Sequence, residues 1–367
     1  MTARPMGIAV IGAGNISKQY LKSLATFPDL KVHVIADRFE EVAAARAKEF
    51  GIAESGGVEE ALSHPDVDLV VNLTVPAAHV EVAAAAVQAG KHVWTEKPFS
   101  LDRESGLGLL KAANAAGVRL GCAPDTFLGA GLQTARRIIE RGDIGIPLTA
   151  LALFQTPGPE SWHPNPAFLF QAGAGPLFDI GPYYLTALTQ TFGAVKRVAA
   201  TGSTARPIRV IGSGPLAGQE FPVEVPTHVG ALVEFEKGGS AQGIFSFESP
   251  RSRGGFLEIT GTEATLALPD PNNFDGDVRI GRSGDEGWTA IPARGATHGR
   301  GMGVLEMARS IRAGVPHRAT GELGFHVLDT LVSISESTET GTFIDVDSSA
   351  TPPPPLPEEW DPTASTL

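Results

Sequence analysis

The chain has 367 residues, 42% apolar and 19% charged, with 29 basic against 41 acidic side chains and a formal net charge of −12. That length accommodates two domains of about 100–200 residues each, and the composition is that of a globular protein with a substantial core. An acidic balance with no basic block speaks against nucleic acid or anionic membrane as a partner, and no apolar run reaches the ~18 residues of a membrane span.

One cysteine, Cys122, excludes an internal disulfide framework and a multi-cysteine metal site, and no metal is expected. Residues 1–6 carry one arginine and lead straight into a strand without the apolar core of a signal peptide, so the expected location is the cytoplasm.

In chain order, Gly7–Ile11 is a continuous apolar run that ends in Gly12-Ala13-Gly14-Asn15-Ile16-Ser17, after which Tyr20, Leu21 and Leu24 take up helical spacing. This is strand, tight turn and helix. Gly12 permits the turn, Gly14 lets a pyrophosphate approach the backbone, and the first amides of the helix, from Asn15 and Ile16 on, face the phosphates. Ser17 stands where the fingerprint has its third glycine or alanine. A second strand, Val32–Ala36, ends at Asp37, which falls about 20 positions past the glycines, where an acidic residue binds the ribose hydroxyls of NAD. Asp37 opposes a 2′-phosphate and favours NAD. Arg38 is able to accept that phosphate or stack on adenine, so NADP stays open.

Helices over 40–50 and 58–62, a strand over 68–73 and a helix over 76–88 continue the alternation. Thr74 and His79 fall at the carboxyl edge of that strand and are candidate cofactor residues, with a simple buried role as the alternative for His79. The strand His92–Trp94 then delivers Thr95-Glu96-Lys97-Pro98, and Ser100 is placed to N-cap a helix running to about Ala116. Lys97 lies just beyond a strand's carboxyl end, the edge at which open parallel sheets bind ligands, and Pro98 biases it toward extended backbone. Glu96 and Lys97 are candidate cofactor residues, and Lys97 is also a candidate catalytic residue. A last strand, 118–122, completes a doubly wound unit over residues 1–123, with Asp125 at the same edge as a substrate candidate.

Past Ala123 the pattern turns strand-rich, with candidate strands over 148–155, 195–204, 228–236, 241–247, 256–261, 265–268 and 277–280 and helices over 132–141, 304–313 and 322–336. Grouped strands predict an α+β domain over 124–348 on a large, mostly antiparallel sheet. The prolines of 351–356 predict a surface arm over 349–367. Within this domain Asp179 and Tyr183 stand four apart in Gly173-Ala174-Gly175-Pro176-Leu177-Phe178-Asp179-Ile180-Gly181-Pro182-Tyr183, and share one face of a helix. The competing reading, Asp179 as an N-cap, is weakened by Pro182, which would occupy the third helical position and has no N–H. Trp162 and His163 sit on a proline-stiffened loop and are candidate substrate contacts, through ring stacking and a hydrogen bond, against ordinary loop anchoring. His228 begins a strand on the face opposite Val229, Ala231, Val233 and Phe235.

A dinucleotide unit with Glu96-Lys97-Pro98, followed by a strand-rich domain with Gly-Ala-Gly-Pro and Asp179-x-Gly181-x-Tyr183, resembles the glucose-fructose oxidoreductase, inositol dehydrogenase and rhizopine-catabolism (Gfo/Idh/MocA) family over about residues 6–345. The resemblance implies an N-terminal Rossmann domain and an active site in the cleft between the domains. It implies NAD(P)-dependent hydride transfer at a secondary hydroxyl or ketone of a sugar, sugar derivative or cyclitol. It assigns Lys97 to the reacting oxygen and Asp179 to the acid of the second motif. Tyr183 falls where many relatives carry histidine, so the proton passes through either Lys97 or Tyr183. Self-association into a homodimer or homotetramer through the second sheet is implied too. The same fold also includes NAD-using glycosidases that work through a transient keto sugar, and non-catalytic regulators. These are the competing readings.

Overall fold

The structure, a computed structural model, describes residues 4–366; residues 1–3, part of the N-terminal stretch read above for a signal peptide, lie outside it. From Met6 the chain alternates β1 (Met6–Ile11), α1 (Asn15–Leu24), β2 (Leu30–Ala36), α2 (Glu40–Phe50), β3 (Glu54–Gly56), α3 (Val58–Ser63), β4 (Leu69–Asn72), α4 (His79–Gln88), β5 (His92–Thr95), α5 (Arg103–Ala116) and β6 (Leu120–Cys122). The six strands form one parallel sheet in the order β3-β2-β1-β4-β5-β6. β1 and β4 are buried throughout, as parallel strands covered on both faces must be. Strand order reverses between them, so their carboxyl ends form the switch point at which such sheets bind ligands. β3 is a polar edge strand with no apolar signal of its own. The cap of α5 is Asp102, whose carboxylate accepts the Ser105 N–H, rather than Ser100, whose hydroxyl donates to the Asp102 carbonyl. A carboxylate is the stronger acceptor for an unsatisfied helix amide.

The second run comprises α6 (Ala130–Glu140), β7 (Pro147–Gln155), α7 (Gly175–Phe192), β8 (Val195–Ser203), β9 (Ile208–Val210), β10 (Glu220–Pro222), β11 (His228–Phe235), β12 (Ser240–Ser246), β13 (Arg253–Gly261), β14 (Thr265–Leu268), β15 (Val278–Gly281) and β16 (Thr289–Ile291). They are followed by α8 (Met302–Ala313), α9 (Gly321–Thr340) and β17 (Ile344–Asp345). Nine strands make one sheet in the order β16-β15-β14-β13-β7-β12-β11-β8-β17, antiparallel except for β7 beside β12. Burial alternates along β11: Val229, Ala231, Val233 and Phe235 are buried and His228 belongs to the other face, the period-2 signature of a half-covered sheet. α7 packs on β7, β11 and β12. β9 and β10 form a separate hairpin over a cluster of Phe170, Ile211, Phe221 and Phe247.

The compact units cut the chain differently from the three consecutive segments expected. One holds the chain up to Gly129 together with Gly295–Phe325 and everything from Leu356 onward; the other holds Ala130–Arg294 and His326–Pro355. The reason is packing: the N-terminus of α8 sits against Trp94 of β5, where a Cβ at Gly303 would meet the indole at 2.2 Å. The prolines 352–355 stay with the second unit, and the chain beyond them, from Leu356, returns to the first. Leu356 is buried, the Arg309 guanidinium donates to buried Asp29 and to the carbonyls of Asp361 and Ala364, and the Thr366 N–H and hydroxyl also donate to Asp29.

Candidate functional site

In the first unit the turn after β1 is built as the glycines require. Gly12 has φ +103°, and a Cβ there would lie 2.5 Å from the Leu73 carbonyl oxygen, so only glycine fits. Gly14 is exposed, a Cβ on it would meet no protein atom, and it occupies the N-cap of α1 with no side chain satisfying the first amides. Asn15 is exposed and Ile16 partly so at the start of that helix. From the next strand, Asp37 accepts the Ala13 N–H at 2.8 Å and the Phe39 N–H at 3.0 Å, which fixes its carboxylate beside the turn. Arg38 is exposed, with its guanidinium over the Phe39 ring. Arg46 of α2, unmarked in the sequence reading, donates to the Ala13 and Gly14 carbonyls from beneath.

Two strands along the same edge, β5 ends at Thr95 and the chain passes through Glu96 and Lys97 to Pro98. Glu96 is buried. Its carboxylate accepts the Tyr20 hydroxyl at 2.7 Å and the Lys97 N–H at 3.1 Å, while the Trp94 indole donates to the Tyr20 oxygen. Burial and the neighbouring Glu96 and Asp125 carboxylates push the Tyr20 phenol well up, which keeps it a donor. Lys97 itself is half-buried. Thr74 is partly exposed and donates through its hydroxyl to Asn72, whose amide in turn donates to the His79 carbonyl.

Besides Glu96, this packing turns two more of the candidate ligand residues inward. His79 is 1% exposed, with Nδ1 2.8 Å from the Pro98 carbonyl oxygen and Nε2 3.1 Å from that of Thr74, so its ring serves the protein interior. Asp125 is 1% exposed, and one carboxylate oxygen accepts the Gly301 and Gly303 amides, making it the anchor of α8. Both lie at the ligand edge in sequence; burial, which the sequence does not display, turns them inward.

In the second unit Asp179 and Tyr183 do share a helix. α7 begins at Gly175, so Asp179 is an interior helical residue and the N-cap alternative falls. Pro182, also inside α7, cannot donate to the Phe178 carbonyl. Asp179 is partly exposed and Tyr183 6% exposed. The adjacent Tyr184 is structural: its hydroxyl donates to the Leu153 carbonyl and accepts the Gly255 N–H. Trp162 is 68% exposed and stands edge-on to His163, which packs in the same manner on Phe168. The loop carrying them is pinned by buried Arg209, which donates to the Pro157 carbonyl and pairs with Glu160 and Glu248.

His33, His64 and Asp66 bring three potential metal ligands within 4.8 Å of one another in the first unit. They are poorly disposed for the task. His64 Nδ1 accepts the Asp66 N–H, which leaves its ring proton on Nε2 facing Glu54, whereas a metal-bound imidazole donates through its second nitrogen.

Two family models match. Residues 6–123 fit the oxidoreductase family with an NAD-binding Rossmann fold, and residues 132–267 fit the GFO/IDH/MocA C-terminal domain. The chain belongs to the Gfo/Idh/MocA oxidoreductase family. Among curated relatives of this family, it is 28% identical over 293 residues to levoglucosan dehydrogenase of Pseudarthrobacter phenanthrenivorans, covering 72% of this chain and 73% of that one. It is 29% identical over 263 residues to 1,5-anhydro-D-fructose reductase of Ensifer adhaerens, covering 70% and 74%. A levoglucosan dehydrogenase structure in complex with NADH and L-sorbose shares the fold, with a TM-score of 0.83 at 23% identity over 94% of this chain and 99% of that one.

The first unit of this Gfo/Idh/MocA protein suits NAD, as the family description states. The open face at Gly14, the uncapped α1 N-terminus and the Asp37 carboxylate are the features such a dinucleotide uses. Two unit charges 4 Å apart repel by ~4 kcal/mol at an effective dielectric near 20, so Asp37 disfavours a 2′-phosphate. Asp37→Asn, which still accepts the Ala13 N–H, is expected to narrow the preference for NAD over NADP by at least about tenfold. Dissociation constants for the two reduced cofactors, measured by fluorescence, check it; an unchanged ratio removes Asp37 from cofactor selection.

Proposed function

We propose that the protein oxidises a secondary hydroxyl of a sugar, sugar derivative or cyclitol with NAD, or reduces the corresponding ketone. The observation that carries this reading is Lys97, held half-buried just past the carboxyl end of β5, on the same sheet edge as the dinucleotide turn. Bound NAD supplies the hydride acceptor. Lys97 binds the reacting oxygen and, with Tyr183 as the alternative group, takes the hydroxyl proton; Asp179 holds neighbouring hydroxyls, with Trp162 and His163 as further sugar contacts. Relatives named for levoglucosan, 1,5-anhydro-D-fructose, D-xylose and inositol support a polyhydroxylated substrate. The test is absorbance of reduced nicotinamide with those four compounds, the ketone with NADH and the others with NAD. Net formation or consumption with any of them supports the reading; turnover of a glycoside without net change indicates the redox-neutral alternative.

We assign the protein to the cytoplasm; among the described residues no helix is long and apolar enough to cross a membrane. We place self-association, as a homodimer or homotetramer, on the sheet face opposite α7, where Leu151 is 39% exposed between Gln242 and Glu258. Sedimentation velocity of the full chain and of Leu151→Glu checks that assignment: a lower association state in the variant supports it.

A further inference from the structure

His79 sits at the start of α4 with both ring nitrogens against carbonyl oxygens, 2.8 Å from that of Pro98 and 3.1 Å from that of Thr74. A neutral imidazole has one N–H, so it donates to one of these and presents a lone pair to the other; only the imidazolium donates to both. The shorter contact assigns the neutral ring's proton to Nδ1, facing Pro98. The charged groups that face the ring are Glu96 and Lys97. Burial lowers the imidazole's pKa, the two carbonyls and Glu96 act the other way, and Lys97 adds to the lowering. The carbonyl of His79 is itself fixed by the Asn72 amide at 2.9 Å, and the Asn72 carbonyl accepts the Glu96 N–H. One polar network therefore joins the end of β4, the start of α4 and both flanks of Lys97.

We propose that His79 is a positioning residue for Lys97: its Nδ1–H holds the Pro98 carbonyl while Glu96, itself held by Tyr20, takes the Lys97 N–H on the other side. The lysine is thus bracketed by buried partners on the residue before it and the residue after it. Its backbone is held on both sides, which sets where the side chain leaves the main chain at the sheet edge. This rests on Lys97 being the residue that meets the reacting oxygen, and the experiment separates the two.

Lysines of the full chain are reductively ¹³C-dimethylated, and the Lys97 resonance is assigned by its loss in Lys97→Arg. In His79→Phe the Lys97 resonance is expected to move and its titration midpoint to shift by about half a pH unit or more, with the other lysines unchanged. In His79→Asn, whose amide N–H replaces Nδ1–H toward Pro98, the midpoint returns toward the wild-type value. Wild-type titration of Lys97 in both folded variants overturns the proposal. Imidazole ¹⁵N spectra of the unsubstituted protein give a second reading that does not depend on the variants folding. A protonated Nδ1 from about pH 7 to 9 supports the clamp, and an unprotonated Nδ1 there overturns it. Failure of the underlying catalytic reading shows separately, as undiminished turnover in Lys97→Ala.

Discussion

Lys97→Ala is expected to lower kcat by roughly 10² to 10⁴, the range over which a positioned proton-transfer group contributes. The side chain lies beyond β5, whereas the turn after β1 and Asp37 after β2 are the main proposed dinucleotide contacts, so affinity for NAD is expected to change by less than about threefold. The backbone is held without the ammonium, because Glu96 accepts the Lys97 main-chain N–H, so the truncated chain keeps its loop. Steady-state rates on whichever compound of the sugar panel turns over, together with NADH binding by fluorescence, check the split. An unreduced kcat removes Lys97 from the chemistry and leaves Tyr183 as the proton-transfer group.

Asp125 is expected to make wild-type stability fall as pH rises through the mildly acidic range. Burial pushes its carboxyl up to about 6, against which the Gly303 and Gly301 amides and Arg300 pull down and Glu96 pushes further up. The unfolded chain ionises near 3.9. Below both values the group is protonated in either state and contributes nothing. As pH rises between about 4 and 6 the unfolded state loses its proton first, so stability falls; above both values the full penalty, about 3 kcal/mol, is present. Asp125→Asn keeps an oxygen for the two amides and does not ionise. The stability difference between it and the wild type is therefore expected to grow by about 2 kcal/mol in the variant's favour from pH 4 to 8. Asp125→Ala instead strands two buried amides, costing ~1–3 kcal/mol each, and lowers stability at every pH. Urea titrations at both ends of that range check this, and a wild-type slope retained in Asp125→Asn sinks it.

Much of the fold was legible because its signals are local. A continuous apolar run followed by Gly12-Ala13-Gly14 has few other solutions than strand, turn and helix, and the alternation of β11 announces a sheet with one covered face. β3 left no trace, since a three-residue edge strand of Glu54, Ser55 and Gly56 is formed by its neighbour β2 and not by its own propensity. The discontinuous first unit was illegible for the same kind of reason: Gly303 under Trp94 and Asp29 beneath Arg309 are contacts between distant residues, with no periodicity to betray them.

For the site, residue type and spacing alone determined the dinucleotide turn, the acidic residue after β2, the lysine beyond β5 and the i, i+4 pair on α7, because each follows from chain geometry over a few residues. Only the tertiary structure decided which polar residues at the ligand edge face outward. Thr74 and Lys97 remain partly open, whereas His79, Glu96 and Asp125 turn inward onto carbonyls, a phenol and helix amides. Buried polar groups must find partners, and those partners, Pro98, Tyr20 and Gly301, are supplied by segments that local sequence does not connect to them.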